Sequence, residues 1–359
     1  MGIKIILLII FFAVMAAVGI YSRRHVTSVD GFVLGGRSVG PWLTAFAYGT
    51  SYFSAVVFVG YAGQFGWKYG IASTWIGIGN ALIGSLLAWV VLGRRTKVMT
   101  QHLGSRTMPD FFGERYKSKS LKITASVIVF VFLIPYTASV YNGLSRLFAM
   151  AFNIPYTWCV VTMAAFTALY VILGGYMATA INDFIQGIIM LIGIVAVIAA
   201  VLNGQGGFMN AIAEMAKIPS DVPLTQGQPG AFTSFFGPDP VNLLGVVLLT
   251  SLGTWGLPQM IGKFYAIKDE KSISTGTIIS TIFAIIISGG CYFLGGFGRL
   301  FDSPEIYDKA GGAVVYDSII PHMLSMLPDL LIGVVVVLVL SASMSTLSSL
   351  VLTSSSTIF

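Results

Sequence analysis

PWLTAFAYGTSYFSAVVFVGYAGQFGWKYG, Pro41–Gly70, is apolar enough to enter a membrane, yet Gly49, Thr50, Ser51 and Ser54 interrupt its middle. A helix in lipid must satisfy its own backbone groups, because no water reaches the hydrocarbon core. Small and hydroxylated residues at mid-depth therefore predict a helix that opens locally, with its freed carbonyls turned to a protein-lined cavity. Carbonyl oxygens are hard ligands suited to a small cation. The expectation is a broken transmembrane helix that holds an ion.

The composition around this stretch agrees with a membrane setting. Of 359 residues, 56% are hydrophobic and only 9% charged, against about 25% charged in average soluble domains. Apolar runs near the ~20 residues that span a bilayer recur along the chain. The net charge of +6 sits in short loops, where it sets orientation and is no nucleic-acid footprint. Cys159 and Cys291 lie in separate apolar runs, and His25, His102 and His322 are scattered over loops. Neither set has the spacing of a disulfide framework or a metal site. The chain has no Walker sequence, no dinucleotide fingerprint and no histidine base near its C-terminal serines, so an enzyme is not expected.

Outward from the opening stretch, the apolar runs predict nine spans. The first covers about 3–21; its core resembles a signal peptide, but with only Lys4 before it an uncleaved helix is favoured. The broken helix 41–70 is second and 71–92 third. A basic loop, 94–122, contains MPDFFGERY, where Pro109 predicts a short helix start. The fourth span, 123–152, carries Pro135 as an expected kink. The turn Asn153–Pro155 leads to a fifth span ending at Gly174–Gly175, and the sixth starts near Ile181. FMNAIAEMAKI, in the Gly- and Pro-rich region after it, reads as an interfacial helix. The seventh span, 241–264, is interrupted by Gly253, Gly256 and Pro258; the eighth is 273–294 and the ninth 330–353. Loops after spans one, three and seven hold fourteen of the 20 Lys and Arg, from Arg23 and Arg24 to Lys263, Lys268 and Lys271. The positive-inside rule then places these loops in the cytoplasm and the N-terminus outside.

The two interrupted helices are separated by five spans, which inverts one relative to the other. Broken segments at matching positions of inverted repeats point to a transporter's binding site. The expected units are an N-terminal helix and loop at 1–40, a first repeat of five helices at 41–203, an extracellular loop at 204–240, and a partial second repeat at 241–359. That repeat has three spans where five are expected, so further helices are expected beyond Phe359.

Three features carry candidate chemistry. LSASMSTLSSLVLTSSSTIF ends the chain with more hydroxyls than a lipid-facing helix needs. Close helix packing accounts for some of them. Ala342, Ser345, Thr346 and Ser349, however, follow i, i+3, i+4, i+7 spacing and share one face, and neutral oxygens on one face suit Na+. Asp183 is the only carboxylate between Glu114 and Glu214. It reads equally as an intramembrane functional acid or as a helix-start residue. Arg146 either snorkels outward or pairs with a substrate carboxylate.

GGRSVGPWLTAFAYGTSYFSAVVFVG (35–60), TMPDFFGERY (107–116), LGGYMATAINDFIQG (173–187), GLPQMIGKFYAIKD (256–269) and SASMSTLSS (341–349) together resemble the sodium:solute symporter family. That family includes bacterial sodium/proline and sodium/pantothenate symporters and sodium/sugar transporters. The resemblance implies an all-α polytopic membrane protein with the leucine-transporter-type 5+5 inverted-repeat core, one extra N-terminal helix, and a second repeat incomplete in this chain. It implies Na+ as coupling ion, held by carbonyls of Thr50, Phe53 and Ala342 and hydroxyls of Ser345 and Thr346. A second Na+ site found in some members would match Asp183, Ser348 and Ser349.

The resemblance also implies a solute cavity. On the first broken helix and its successor it would be lined by Tyr48, Ser54, Val57, Phe58 and Trp75. On the second broken helix the lining residues are Ser251, Thr254, Trp255 and Pro258. Val56 and Val57 stand where sugar-transporting relatives have polar residues, and Trp75 where they have an acid, which disfavours a sugar. Tyr52 replaces an aspartate of the proline symporters. A mostly apolar pocket suits a small amino acid such as proline, or a small organic acid. The implied function is Na+-coupled import by alternating access across a bacterial plasma membrane. The implied partners are the solute, Na+ and lipid, with no nucleic acid and no obligate protein partner. The alternative is a transporter-like sensory input module of a signalling protein, with a passive channel behind it.

Overall fold

The computed structural model describes residues 2–23, 28–152, 154–308 and 312–357. Arg24, His25, Asn153 and Phe359 lie outside the described residues, as do the side chains of Arg146 and Cys159. The described residues are mostly helical, with two isolated β-bridges, Val39 to Ile267 and Tyr307 to Val314. Its helices are α1 (Gly2–Ser22), α2 (Val29–Leu34), α3 (Pro41–Thr50), α4 (Ala62–Tyr69), α5 (Thr74–Gly79), α6 (Arg94–His102), α7 (Met108–Tyr116), α8 (Lys119–Phe152), α9 (Tyr156–Gly204), α10 (Phe208–Lys217), α11 (Pro240–Gly253), α12 (Pro258–Ala266), α13 (Glu270–Ala284), α14 (Gly290–Gly295), α15 (Tyr316–Ser325) and α16 (Asp329–Ser356). Short π-helical segments, Val56–Tyr61, Asn80–Leu87, Trp89–Gly93 and Ile285–Gly289, lead into or continue several of them.

Six helices among the described residues are long and apolar enough to cross a membrane, seven if one bent pair is counted. The nine spans read from the sequence differ from this where spans join without a loop. Val56–His102 is one continuous helical path of 47 residues, which takes in the end of the broken helix and all of the third span. The expected fifth span is represented by the shorter apolar stretch Val160–Leu169, continuous with Val171–Gly204.

Local chemistry explains the breaks. α3 begins with Pro41 at its first position, where a missing N–H costs nothing. It ends where the Thr50 and Ser51 hydroxyls bond back to the carbonyls of Phe46 at 2.9 Å and Ala47 at 2.5 Å, a competition that weakens helices. Residues 51–54 are non-helical before the chain coils again. The second break has a different cause. Leu257 is extended, as residues before proline prefer, and Pro258 starts α12 at a 49° bend to α11. Gly175, at φ +53° and ψ −144°, divides α9 at the expected boundary of the fifth and sixth spans. Only glycine adopts that conformation cheaply.

Two features organise the bundle. α16 is the most enclosed span and packs on α9, α8 and α1, burying both its apolar and its hydroxyl-bearing residues. α8, by contrast, turns Val127, Phe132 and Ile134 outward, as a lipid-facing helix does. Pro135 lies inside the continuous α8. At one end of the bundle the basic loops meet. Arg37 donates to the Ser105 carbonyl at 2.6 Å, Arg106 pairs with Asp30, and Arg94 pairs with Glu270 at 2.5 Å. The short helix expected at MPDFFGERY is α7, capped by the Thr107 hydroxyl.

Candidate cation and solute site

The break after α3 and the hydroxyl face of α16 meet in the interior. The Ser345 hydroxyl lies 3.1 Å from the Thr50 carbonyl oxygen and 3.0 Å from the Ala342 carbonyl oxygen. The Thr346 hydroxyl stands at the same two distances from the same two carbonyls. Each hydroxyl has one proton and so can serve only one acceptor at a time. Four neutral oxygens therefore converge, none exposed to solvent and none carrying formal charge. Such a set suits a hard cation of low charge, which prefers oxygen ligands. Phe53 lies within the non-helical turn that follows Thr50, its amide donating to the Gly49 carbonyl at 3.3 Å and its ring buried.

One turn along α16, a second polar cluster forms around Lys263. Its ammonium stands 3.6 Å from an Asp183 carboxylate oxygen and donates to the Ser349 hydroxyl at 3.1 Å. Ser349 in turn lies 2.8 Å from the Ser51 hydroxyl. The same ammonium sits 5.1 Å from the centre of the Tyr176 ring, an arrangement favourable to a cation. Ser348 points its proton elsewhere, to the Ser345 carbonyl at 2.9 Å. Asp183, Lys263 and Ser349 thus tie α9, α12 and α16 together, and Ser51 extends the tie to the break.

The expected solute-lining residues fall into separate groups. Tyr48, Thr254 and Trp255 all donate to carbonyls of the π-helical segment 80–87: Tyr48 to Gly84 at 3.1 Å, Thr254 to Gly84 at 3.0 Å, Trp255 to Ile83 at 2.9 Å. Ser251 donates to the Asn80 side chain at 3.2 Å, and Asn80 donates to Ser288 at the same distance. Ser54, Val57 and Phe58 instead line a tight apolar space of about 10 Å³ with Ile194, Leu338 and Ala342. Trp75 stands apart, its indole donating to the Phe235 carbonyl at 2.9 Å. Pro258 borders a narrow cleft shared with Arg106, Gln259, Lys263 and Ser349.

Two residues of these clusters escape a sequence reading. Lys263 reads as one more positive charge of a cytoplasmic loop, whereas it is 2% exposed on α12. The available signal is Asp183: a carboxylate at membrane depth calls for a cationic partner. Asn80 lies in an unremarkable apolar run, yet it is buried and bridges α11 to the π-helical turn at Ser288. Lys97, also read as a loop charge, is buried too.

A family model described as "Sodium:solute symporter family" matches residues 32–359. The chain is 32% identical over 365 residues to sodium/proline symporter 2 of Staphylococcus saprophyticus, an alignment that covers 98% of this chain and 67% of the relative. It is 30% identical over 364 residues to the sodium/proline symporter of Staphylococcus aureus, with the same coverage. Among solved structures, a Na+-coupled sialic acid symporter in a substrate-bound outward-open state matches with a TM-score of 0.78. That match covers 99% of this chain and 72% of the other at 16% identity, a likeness of fold.

Proposed function

The chain belongs to the sodium:solute symporter family, and we propose that it imports a small organic solute, an amino acid such as proline or a small organic acid, on the inward flow of Na+. The observation that carries the reading is the convergence of the Thr50 and Ala342 carbonyls with the Ser345 and Thr346 hydroxyls. Na+ would replace the hydrogen bonds among these oxygens, with the Phe53 carbonyl as the fifth ligand, and so join the broken helix to α16. By linkage, whatever Na+ adds to solute affinity the solute returns to Na+ affinity.

The solute would lie between the two interrupted helices and draw on both the group of Ser54, Val57 and Phe58 and the group of Tyr48, Ser251, Thr254 and Trp255, with Trp75 and Pro258 as further lining residues. The apolar lining at Val57, Phe58, Ile194 and Leu338 favours a compact, partly apolar solute over a sugar. The sodium/proline symporters among the relatives favour the same class. Alternating access would proceed by rocking of a five-plus-five inverted-repeat core, whose paired breaks are residues 51–54 and 254–257. The cluster of basic loops at one bundle end supports a cytoplasmic placement of that end and an external N-terminus.

Uptake of radiolabelled proline and other small amino and organic acids by the full-length protein in proteoliposomes tests the reading. Accumulation should require an inward Na+ gradient. Uptake indifferent to Na+ but driven by a proton gradient would overturn it.

A further inference from the structure

We propose that the Lys263 ammonium occupies the position where a second Na+ would otherwise bind, so that the chain couples its solute to a single Na+. The inference rests on the reading of Thr50, Ala342, Ser345 and Thr346 as the first Na+ site. It replaces the expectation that Asp183, Ser348 and Ser349 hold a second ion.

The residues themselves argue against a second ion. Asp183 is wholly buried, and its carboxylate has Lys263 at 3.6 Å. Ser349 accepts from the same ammonium at 3.1 Å, which engages one of its two lone pairs. Ser348 directs its proton to the Ser345 carbonyl at 2.9 Å. A Na+ held by Asp183 and Ser349 would have to sit against a fixed positive charge within a few ångströms, away from water. Two unit charges that close in a low-dielectric interior repel by many times RT. The ammonium, with three donors and no acceptor, already supplies the counter-charge of the carboxylate and a donor to the hydroxyl.

The backbone also fixes the ammonium in place. Pro258 sets the start of α12 at the second break, and Lys263 follows about 1.4 turns later on the face toward α9 and α16. The Tyr176 ring adds a further contact, its centre 5.1 Å from the ammonium. The ammonium is therefore part of the folded interior, whereas a loop lysine would move with solvent. Asp183 thus gains its counter-charge from the chain itself.

Equilibrium binding of radioactive 22Na+ to the purified full-length protein, together with the Na+ dependence of uptake, tests this. The wild type should bind one Na+ with a Hill coefficient near one. Lys263→Met should bind two, its Hill coefficient rising towards two, and Lys263→Arg should bind one. The double variant Lys263→Met, Asp183→Asn removes both charges together and should return to one, which keeps the test usable if Lys263→Met alone fails to fold. Two ions bound by the wild type, or by the double variant, would overturn the proposal while leaving Na+ symport intact. So would a folded Lys263→Met that still binds one. A wild type that binds no Na+ would overturn the symport reading itself, a result distinct from each of these.

Discussion

The Ser345 hydroxyl reaches the carbonyl oxygen of Thr50 at 3.1 Å across 295 positions of sequence. That contact couples the opened end of α3 to the hydroxyl face of α16, and Thr346 repeats it at the same distance. Backbone freed by a helix break is tolerated at membrane depth only where protein satisfies it. Here the satisfying groups are themselves suited to ligate a cation. The same contact therefore serves the fold and the proposed site.

Ser345→Ala removes one of the convergent oxygens and leaves the methylene packing. Apparent Na+ affinity for uptake should fall by at least about tenfold, equivalent to about 1.4 kcal/mol. Ser345→Ala combined with Thr346→Ala should lose more. Solute titrations at several Na+ concentrations measure it, and unchanged Na+ dependence in the double variant would remove these hydroxyls from the site.

Gly66 and Gly295 bring α4 and α14 into backbone contact. A Cβ on Gly66 would lie 2.0 Å from the Gly295 carbonyl oxygen, and one on Gly295 would lie 2.1 Å from that of Ala62. Side-chain rotation cannot relieve a clash with backbone, so the helices must separate. Gly66→Ala should destabilise the protein by about 1–3 kcal/mol, as overpacking does, with a lowered Tm and poorer yield. Gly245→Ala, where an added Cβ meets nothing within 4 Å inside α11, is the control and should not destabilise, since alanine favours a helix interior over glycine.

Arg299 clamps the opposite end of the bundle. Its guanidinium stacks 3.8 Å from the Phe232 ring centre and 4.7 Å from that of Trp67, donates to the Trp67 carbonyl at 2.7 Å, and pairs with Asp221 at 2.6 Å. Planarity matters to every one of these contacts, so lysine is no substitute. Arg299→Lys and Arg299→Ala should both cost about 1.5–3 kcal/mol, the range for hydrogen bonds to charged groups. Asp221→Asn should cost less, since Asp221 is 63% exposed. Thermal unfolding in detergent separates the three.

Asp269 caps α13, its carboxylate accepting from the Ser272 amide at 2.8 Å. The Ser272 hydrogen bonds hold this carboxyl below its ordinary range. A depressed folded-state pKa stabilises above the unfolded value, and the stabilisation is lost as pH falls through the depressed value. The Tm advantage of wild type over Asp269→Asn should therefore be present at neutral pH and vanish on strong acidification. An advantage that grows with acid would contradict the cap assignment.

Much of the fold was legible in the residues, because it follows from local properties. Glycines and hydroxyls at 49–54 and Gly253 to Pro258 signal breaks wherever they occur in an apolar run, and the structure opens at 51–54 and bends at Leu257. The number of crossings was less legible. Gly70, at φ +60°, turns the chain without any polar loop at the boundary read between the second and third spans, so the helical path runs on where the sequence reading counts two crossings.

The sequence alone determined that this is a helical membrane protein with two interrupted helices and one hydroxyl-bearing face, since hydropathy, proline geometry and 3.6-residue spacing act within a few turns. Only the tertiary structure decided which groups meet. It set the Thr50 carbonyl against Ser345 and Thr346, divided the expected solute-lining residues among separate groups, and moved Lys263 from a loop charge to the buried partner of Asp183. The physical reason is range: a residue's type states what partner it requires, while the packing of distant helices chooses which partner it finds.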